Sequence, residues 1–134
     1  MTQSVAATGK RPLERLDDIG LLNASLLAVH AVHVTPEEIE RLAAAGAGVA
    51  HCPTSNLKLA CGVAPAVAFM DAGVTGGLGT DGAASNNRLD VLSEMRMAAL
   101  LARVSAGGED AITAEQALRM ATLDAARALR RDHE

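Results

Sequence analysis

"VTGGLGTDGAASNN" (residues 74–87) contains the change of pattern that decides the fold. Its first five residues are apolar and glycine-rich, and Asp81 follows them at the start of a polar loop of small residues. The next segment, "RLDVLSEMRMAALLARV", is amphipathic with the period of a helix. This order predicts a buried strand that delivers a carboxylate to the edge of a sheet, followed by a covering helix.

Two more apolar runs precede this one, "ASLLAVHAVHV" (residues 24–34) and "GVAHC" (residues 48–52). All three are apolar throughout rather than alternating, which favours parallel strands covered by helices. The sequence therefore predicts an α/β fold with a parallel sheet. Helices are predicted over residues 12–19, 35–45, 64–72, 89–104 and 113–129, with capping boxes at Thr35 and Glu38 and at Thr113 and Gln116, whereas residues 53–62 are predicted as a loop.

Side-chain patterning on the fourth of these helices, residues 89–104, predicts which face is buried. Leu92, Met95, Ala99 and Leu100 are expected to face the core, and Glu94 is expected to point elsewhere. The two cysteines, Cys52 and Cys61, lie outside any Cys-x-x-Cys spacing and predict no disulfide framework. Cys61 is expected to pack in the interior.

Polar residues end each of the three predicted strands. His30 and His33 come at the end of the first strand, His51 ends the second and Asp81 ends the third. Because the carboxyl ends of neighbouring parallel strands meet at one edge, where ligands bind in such sheets, these side chains are expected to lie together.

Imidazole and carboxylate groups at one edge fit either a divalent metal such as zinc or general acid–base chemistry. For each single histidine, a purely structural role as a hydrogen-bonded residue at a strand end fits equally well. His33 lies an odd number of residues from His30 and is expected to face away or to lie in the loop. Asn56 and Lys58 fit either substrate binding or capping of their loop.

Composition excludes several classes of function. The 134 residues carry a net charge of −4 with no basic stripe, and Phe69 is the only aromatic residue, so nucleic-acid binding is not expected. No stretch approaches the roughly 18 consecutive apolar residues of a membrane helix, and the first residues lack the apolar centre of a signal peptide. We expect no membrane contact and a cytoplasmic location.

Several segments together resemble a known family: "AVHAVHVTPEEI", "HCPTSNLKLACGVAP", "GLGTDGAASNNRLDVLSEMRMAALLA" and "ALRMATLDAARAL". They are similar to the amidohydrolase superfamily, in particular to the branch of methylthioadenosine/S-adenosylhomocysteine deaminases and the related triazine hydrolases. The resemblance implies a TIM-type barrel in which the three strands are the sixth to the eighth. It also implies one bound metal, zinc with iron or manganese as alternatives.

The resemblance assigns roles to individual residues. Asp81 matches a metal ligand that also takes a proton from the attacking water, and His30 matches a histidine that hydrogen-bonds this water. Asp81 and His30 are thus the expected catalytic residues, and Asp81 is the expected metal ligand. His51, Asn56 and Ser85 are expected near the site or in contact with the substrate.

The family's other metal ligands, a His-x-His pair and a further histidine, are absent from this sequence, as is its His-x-x-Glu segment. We therefore expect residues 1–134 to be the C-terminal part of a barrel that lacks the first five strands and the closing β segment. Because catalytic zinc needs about three protein ligands, the isolated chain is expected to be inactive.

The expected function of the whole protein is deamination of an adenosine-type substrate by a water activated on the metal, releasing ammonia. One alternative is hydrolysis of a triazine or another amino-heterocycle. The other is a non-catalytic α/β module that acts through its open sheet edge. The expected partners are a small amino-purine or amino-heterocycle and either further copies of the chain or a complementing chain.

Overall fold

A three-stranded parallel sheet in the order β1-β2-β3 is the centre of the computed structural model, which describes residues 2–133. The strands are β1 (Leu27–Val29), β2 (Gly48–His51) and β3 (Thr75–Leu78). The helices are α1 (Thr2–Thr8), α2 (Pro12–Asp18), α3 (Pro36–Ala44), α4 (Pro53–Lys58), α5 (Ala66–Asp71), α6 (Val91–Ala106), α7 (Ala114–Ala121) and α8 (Leu123–Ala128). No helix within this described part is long and apolar enough to cross a membrane.

Helices cover the sheet on both faces. Val49 of β2 is fully buried against α3 and α5, in one core with Leu42 and Phe69. Gly48 and Gly77 lie on the opposite face, where α8 packs. A Cβ atom on Gly77 would lie 2.6 Å from the Cα atom of Ala125, so this close approach of helix and strand requires glycine.

The predicted helix starts at Thr35 and Thr113 are confirmed, each with its capping box. The Thr35 hydroxyl accepts from the Glu38 N–H at 3.2 Å, and the Thr35 N–H donates to the Glu38 carboxylate at 2.9 Å. Thr113 and Gln116 form the same reciprocal pair at 3.2 and 2.8 Å. These local patterns determine where α3 and α7 begin.

Three boundaries differ from the sequence prediction. Residues 53–58 were predicted as loop and form α4, which begins at Pro53 in the first helical turn. The last predicted helix is divided at Thr122, whose ψ of −95° separates α7 from α8. The first strand is only Leu27–Val29, much shorter than the apolar run that contains it, because pairing with β2 ends there.

The prediction for the buried face of α6 was wrong for Leu92, Leu100 and Glu94, whereas Met95 packs against the core as predicted. Leu92 is 67% exposed and Leu100 is 46% exposed, while the buried row is Glu94, Ala98 and Ala102. This row repeats every four residues and places small side chains against the second core, formed around Leu78, Ile112 and Met120. The helix therefore approaches its neighbours closely through alanine, while Leu92, Leu100 and Val104 face outward.

Cys61 is exposed rather than packed in the interior, and the Cys52 side chain is buried. Both cysteines are free thiols.

β1 and β3 are the outer strands, and each has one edge without a strand partner among residues 2–133. A cavity of about 390 Å³ lies beside β1, lined mainly by apolar side chains of α2 and the segment after β1. The parallel α/β sheet is thus confirmed. The assignment of these strands as the sixth to eighth of a barrel, and of residues 1–134 as part of one barrel domain, stays a prediction.

Candidate functional site at the carboxyl edge of the sheet

His30 and Asp81 lie next to each other just beyond the carboxyl ends of β1 and β3. The His30 Nε2 atom is 3.8 Å from the Asp81 Oδ2 atom, and both side chains are about one-third exposed, at 38% and 31%. Both residues have left-handed backbones, with φ of 68° and 60°. Non-glycine residues in this region cluster at functional sites, because the surrounding structure must hold them there.

Hydrogen bonds fix the Asp81 carboxylate from three directions. The hydroxyls of Ser55 and Ser85 donate to Oδ2 at 2.6 and 2.7 Å, and the Gly82 N–H donates to Oδ1 at 2.8 Å. These donors, led by Ser55 and aided by the charge of His30, lower the pKa of Asp81 to about 2. Asp81 is therefore an oriented anion at neutral pH.

Asn56 holds the other side of the His30 ring. The His30 Nδ1 atom lies 2.9 Å from the Asn56 Oδ1 atom, and Asn56 is only 2% exposed. The buried amide thus fixes the ring so that its Nε2 atom, the one nearer Asp81, stays accessible.

One turn of α4 organises the whole edge. Ser55 contacts Asp81 and Asn56 contacts His30, while the Thr54 N–H donates to the carboxylate of Glu94 at 3.0 Å. Sequence analysis placed this segment in a loop because proline, threonine, serine and asparagine are common in turns. Its helical geometry is what lets three consecutive residues serve three different partners.

Glu94 is the residue of this region that sequence reasoning missed. It is 1% exposed, although it was predicted to point away from the core. Its two oxygens accept from the Thr54 N–H and from the Asn86 side-chain amide at 2.8 Å, and the same amide also donates to the Thr80 carbonyl. Glu94 therefore ties α4 to the loop that carries Asp81. The four-residue spacing of Glu94 with two alanines was the available signal.

His51 lies at the end of β2 as predicted, but it is 2% exposed. Burial lowers the pKa of His51 to about 4, against the opposing effect of the Glu94 charge. Its Nδ1 atom has no hydrogen-bond partner among the described residues. His51 is consequently a neutral imidazole beneath the edge, rather than a proton carrier at neutral pH.

Two other polar residues are not brought to the centre of the edge. The His33 side chain is exposed in the loop after β1, as expected, and its carbonyl accepts from Arg11 at 2.6 Å. Lys58 donates to the Ala84 carbonyl at 3.2 Å and to the Asn87 side chain, so it fastens the Asp81 loop to α4.

The Cys52 thiol is unsuited to nucleophilic chemistry. Burial, together with the nearby charges of Asp81 and Glu94, raises its pKa to about 11. The thiol therefore stays protonated at neutral pH.

The donor types at the edge, imidazole nitrogen and carboxylate oxygen, are those that zinc binds. Within residues 2–133, no group of three His, Cys, Asp or Glu side chains is placed to hold a metal. Asp81 and His30 are thus insufficient by themselves for a catalytic zinc, which takes about three protein ligands.

Parallel βα units that bring a histidine and an anionic aspartate to the carboxyl edge of the sheet place this chain in the class of α/β proteins that bind their ligands at that edge. The chain belongs to the amidohydrolase family, whose family model matches residues 1–134. The resemblance seen in the sequence is therefore confirmed.

Named relatives narrow the comparison. The chain is 54% identical over 121 residues to the 5-methylthioadenosine/S-adenosylhomocysteine deaminase of Halobacterium salinarum, covering 90% of this chain and 28% of that protein. It is 53% identical over 124 residues to the enzyme of the same name from Moorella thermoacetica, covering 92% of this chain and 29% of that protein. The chain thus spans less than a third of the length of these relatives.

Solved structures match in three dimensions as well. The chain superposes on an adenosine deaminase from Xanthomonas campestris with bound zinc at a TM-score of 0.96 and 51% identity, covering 98% of this chain and 30% of that one. An atrazine chlorohydrolase from Arthrobacter aurescens complexed with zinc gives a TM-score of 0.90 at 36% identity, covering 96% of this chain and 29% of that one.

Proposed function

We propose that this chain is the C-terminal part of a metal-dependent deaminase that acts on an adenosine-type substrate such as methylthioadenosine or S-adenosylhomocysteine. The observation that carries this proposal is the pairing of His30 with an oriented, anionic Asp81 at the carboxyl edge of the sheet. The named relatives support hydrolytic deamination as the reaction class.

The residues of this chain have separate roles in the proposed reaction. Asp81 is held as an anion by Ser55 and Ser85, so it accepts a proton from the attacking water. His30 orients the same water for attack at the carbon bearing the amino group. The proton taken up by Asp81 then passes to the amino group, ammonia leaves, and the amino-purine becomes an oxo-purine.

A divalent metal, zinc with iron or manganese as alternatives, would supply the electrostatic activation of the water. Asp81 is the residue of this chain that we assign as a ligand. The remaining ligands would come from chain outside residues 1–134, since the described residues provide no group of three. On this basis we propose that the isolated chain is inactive.

Reconstitution tests the proposal. The chain is co-expressed with the upstream portion of the Moorella thermoacetica relative, and ammonia release from methylthioadenosine, S-adenosylhomocysteine and adenosine is measured with bound metal in the purified complex. We expect activity from the reconstituted complex and none from the isolated chain.

Asp81→Asn is the decisive variant and Asp90→Asn its matched control. Asp90 caps α6 away from the site, and asparagine caps equally well, so the control should retain activity. We expect Asp81→Asn to remove activity. A folded, metal-loaded complex that releases no ammonia from any adenosine-type substrate contradicts the proposed function. Stoichiometric zinc and turnover in the isolated chain contradict the proposed inactivity.

A triazine or another amino-heterocycle is the second candidate substrate, and the similarity to the atrazine chlorohydrolase favours including it. The same reconstituted complex is assayed with atrazine and with an aminated triazine. Turnover of these compounds without turnover of methylthioadenosine would assign the chain to triazine hydrolysis.

The open sheet edge supports a proposed interaction with a complementing chain, because the apolar cavity beside β1 leaves Leu16, Val32 and Leu59 available for contact. Size-exclusion chromatography with light scattering distinguishes the outcomes. A stable heteromeric complex supports complementation, a discrete oligomer supports self-association, and a monomer that ignores the upstream portion contradicts both. A catalytically silent complex would favour the non-catalytic module.

The free thiols Cys52 and Cys61 fit the cytoplasmic location that we propose.

A further inference from the structure

We propose that Asn56 is a positioning residue that fixes the tautomer of His30, keeping the proton on Nδ1 and leaving Nε2 as the hydrogen-bond acceptor beside Asp81. The contact that carries this inference is the 2.9 Å approach of the His30 Nδ1 atom to the Asn56 Oδ1 atom. A carbonyl oxygen only accepts, so the nitrogen facing it must carry the proton.

Burial makes this contact selective for the form of the His30 ring that carries its proton on Nδ1. Asn56 is 2% exposed on α4, and its backbone is bonded at both ends of the turn, from the Asn56 N–H to the Cys52 carbonyl at 3.0 Å and from the Cys61 N–H to the Asn56 carbonyl at 2.8 Å. Solvent water therefore cannot replace His30 as the hydrogen-bond partner of this amide. A His30 ring with an unprotonated Nδ1 atom would face the amide oxygen with two acceptors and no proton between them.

The opposite orientation of the Asn56 amide would make its nitrogen the donor and move the His30 proton to Nε2. Such an Nε2–H would need an acceptor, and the Asp81 Oδ2 atom, at 3.8 Å, is beyond hydrogen-bond distance. That oxygen already accepts from the hydroxyls of Ser55 and Ser85. An Nε2–H would therefore have no acceptor within hydrogen-bond distance among the described residues.

The consequence for catalysis rests on the proposed deaminase function. An unprotonated Nε2 atom and the Asp81 carboxylate both accept, so together they select a ligand that donates two hydrogens, as a water molecule does. His30 would then orient the water through its lone pair rather than donate to it. In this role Asn56 contacts neither water nor substrate. It determines which ring nitrogen of His30 accepts the hydrogen bond from the water.

Long-range ¹H–¹⁵N correlation spectra of the labelled 134-residue chain report which ring nitrogen carries the proton. Spectra are recorded at about pH 8.5, roughly two units above the ordinary histidine pKa, so that the imidazoles are neutral. We expect His30 to show a protonated Nδ1 and an unprotonated Nε2. Because the sequence has four histidines, the variants His33→Gln, His51→Leu and His133→Gln identify the other three sets of signals.

Three variants separate the tautomer from general packing. Asn56→Leu removes the acceptor and should reverse the two nitrogen shifts of His30, since a free imidazole favours the proton on Nε2. Asn56→Asp keeps an acceptor and should retain the wild-type pattern. Thr54→Ala, at the neighbouring position on the same turn, keeps the backbone N–H that donates to Glu94, so it is the matched control and should also retain the pattern.

An Nε2–H pattern in the wild-type chain overturns the proposal, and so does an unchanged pattern in a folded Asn56→Leu variant. If Asn56→Leu fails to fold, the wild-type and Asn56→Asp spectra still decide, because both must show a protonated Nδ1. The spectra involve neither metal nor substrate. A failed deaminase assay and a failed tautomer assignment are therefore separate results.

Discussion

Ser55 donates its hydroxyl hydrogen to the Asp81 Oδ2 atom at 2.6 Å, joining the helix after β2 to the loop after β3. Ser55 is completely buried, whereas Asp81 reaches solvent. The bond therefore connects the interior of the fold to its exposed carboxylate. It is also the first cause of the lowered pKa of Asp81.

Replacing Ser55 with alanine should raise the pKa of Asp81 from about 2 toward its ordinary value of 3.8, because the strongest donor to the carboxylate is lost. Carboxyl ¹³C signals followed against pH measure the shift. The stabilising effect of this carboxylate is fully present above pH 3.8 and is lost as the pH falls through about 2, so the variant, with its smaller pKa shift, should have less of this stabilisation above pH 3.8. Ser93→Ala, which removes a hydroxyl bonded to Asp90, should leave Asp81 unchanged.

His51 should make the chain sensitive to mild acid. Its pKa falls from 6.5 to about 4 on folding, so the unfolded chain binds the extra proton between these values. Stability should be full above pH 6.5 and should decrease by about 3 kcal/mol as the pH falls to about 4. Urea unfolding at several pH values measures this slope.

His51→Leu should flatten the slope, while His33→Leu, at an exposed position, should leave it as in the wild type. A slope that persists in the His51 variant would assign the acid sensitivity to another group.

Glu94→Gln should destabilise the chain by about 1–3 kcal/mol, because a glutamine has a single acceptor oxygen for two buried donors. One of the Thr54 N–H and the Asn86 amide would then face an NH₂ group. Urea unfolding gives the free-energy change, and hydrogen exchange of the Thr54 amide reports the local opening of α4. Glu109→Gln, at an exposed position, is the control. Equal effects from both variants would contradict the role of Glu94 in tying α4 to the loop that carries Asp81.

Gly76 and Gly77 should respond in opposite ways to the same substitution. A Cβ atom on Gly76 meets only the Val74 carbonyl oxygen at 4.0 Å, so Gly76→Ala should stabilise the chain by about 0.5–1 kcal/mol through the reduced freedom of the unfolded state. A Cβ atom on Gly77 would overlap the backbone of Ala125 on α8, so Gly77→Ala should cost about 1–3 kcal/mol. Thermal and urea unfolding of the two variants measure the difference. Similar changes in both would show that α8 does not pack on β3 as described.

Local sequence signals were sufficient wherever neighbouring residues decide the outcome. The capping boxes of α3 and α7 were predicted correctly because each is completed within four residues. Residues 53–58 were misjudged because the helix α4 depends on a distant group, the carboxylate of Glu94, to accept its first free N–H. The separation of Glu94 from Thr54 along the sequence also explains why Glu94 was expected to face away from the core.

By itself, the sequence determined three apolar strands, the helices α3 and α5 between them, and the histidine or aspartate at or just after the end of each strand, since hydrophobic period and capping act over a few residues. Only the tertiary structure decided which of these polar groups meet. It buried His51, exposed Cys61, and placed Asp81 beside His30 within reach of one turn of α4. These outcomes depend on contacts between residues far apart in the chain, which form only when the sheet and helices pack.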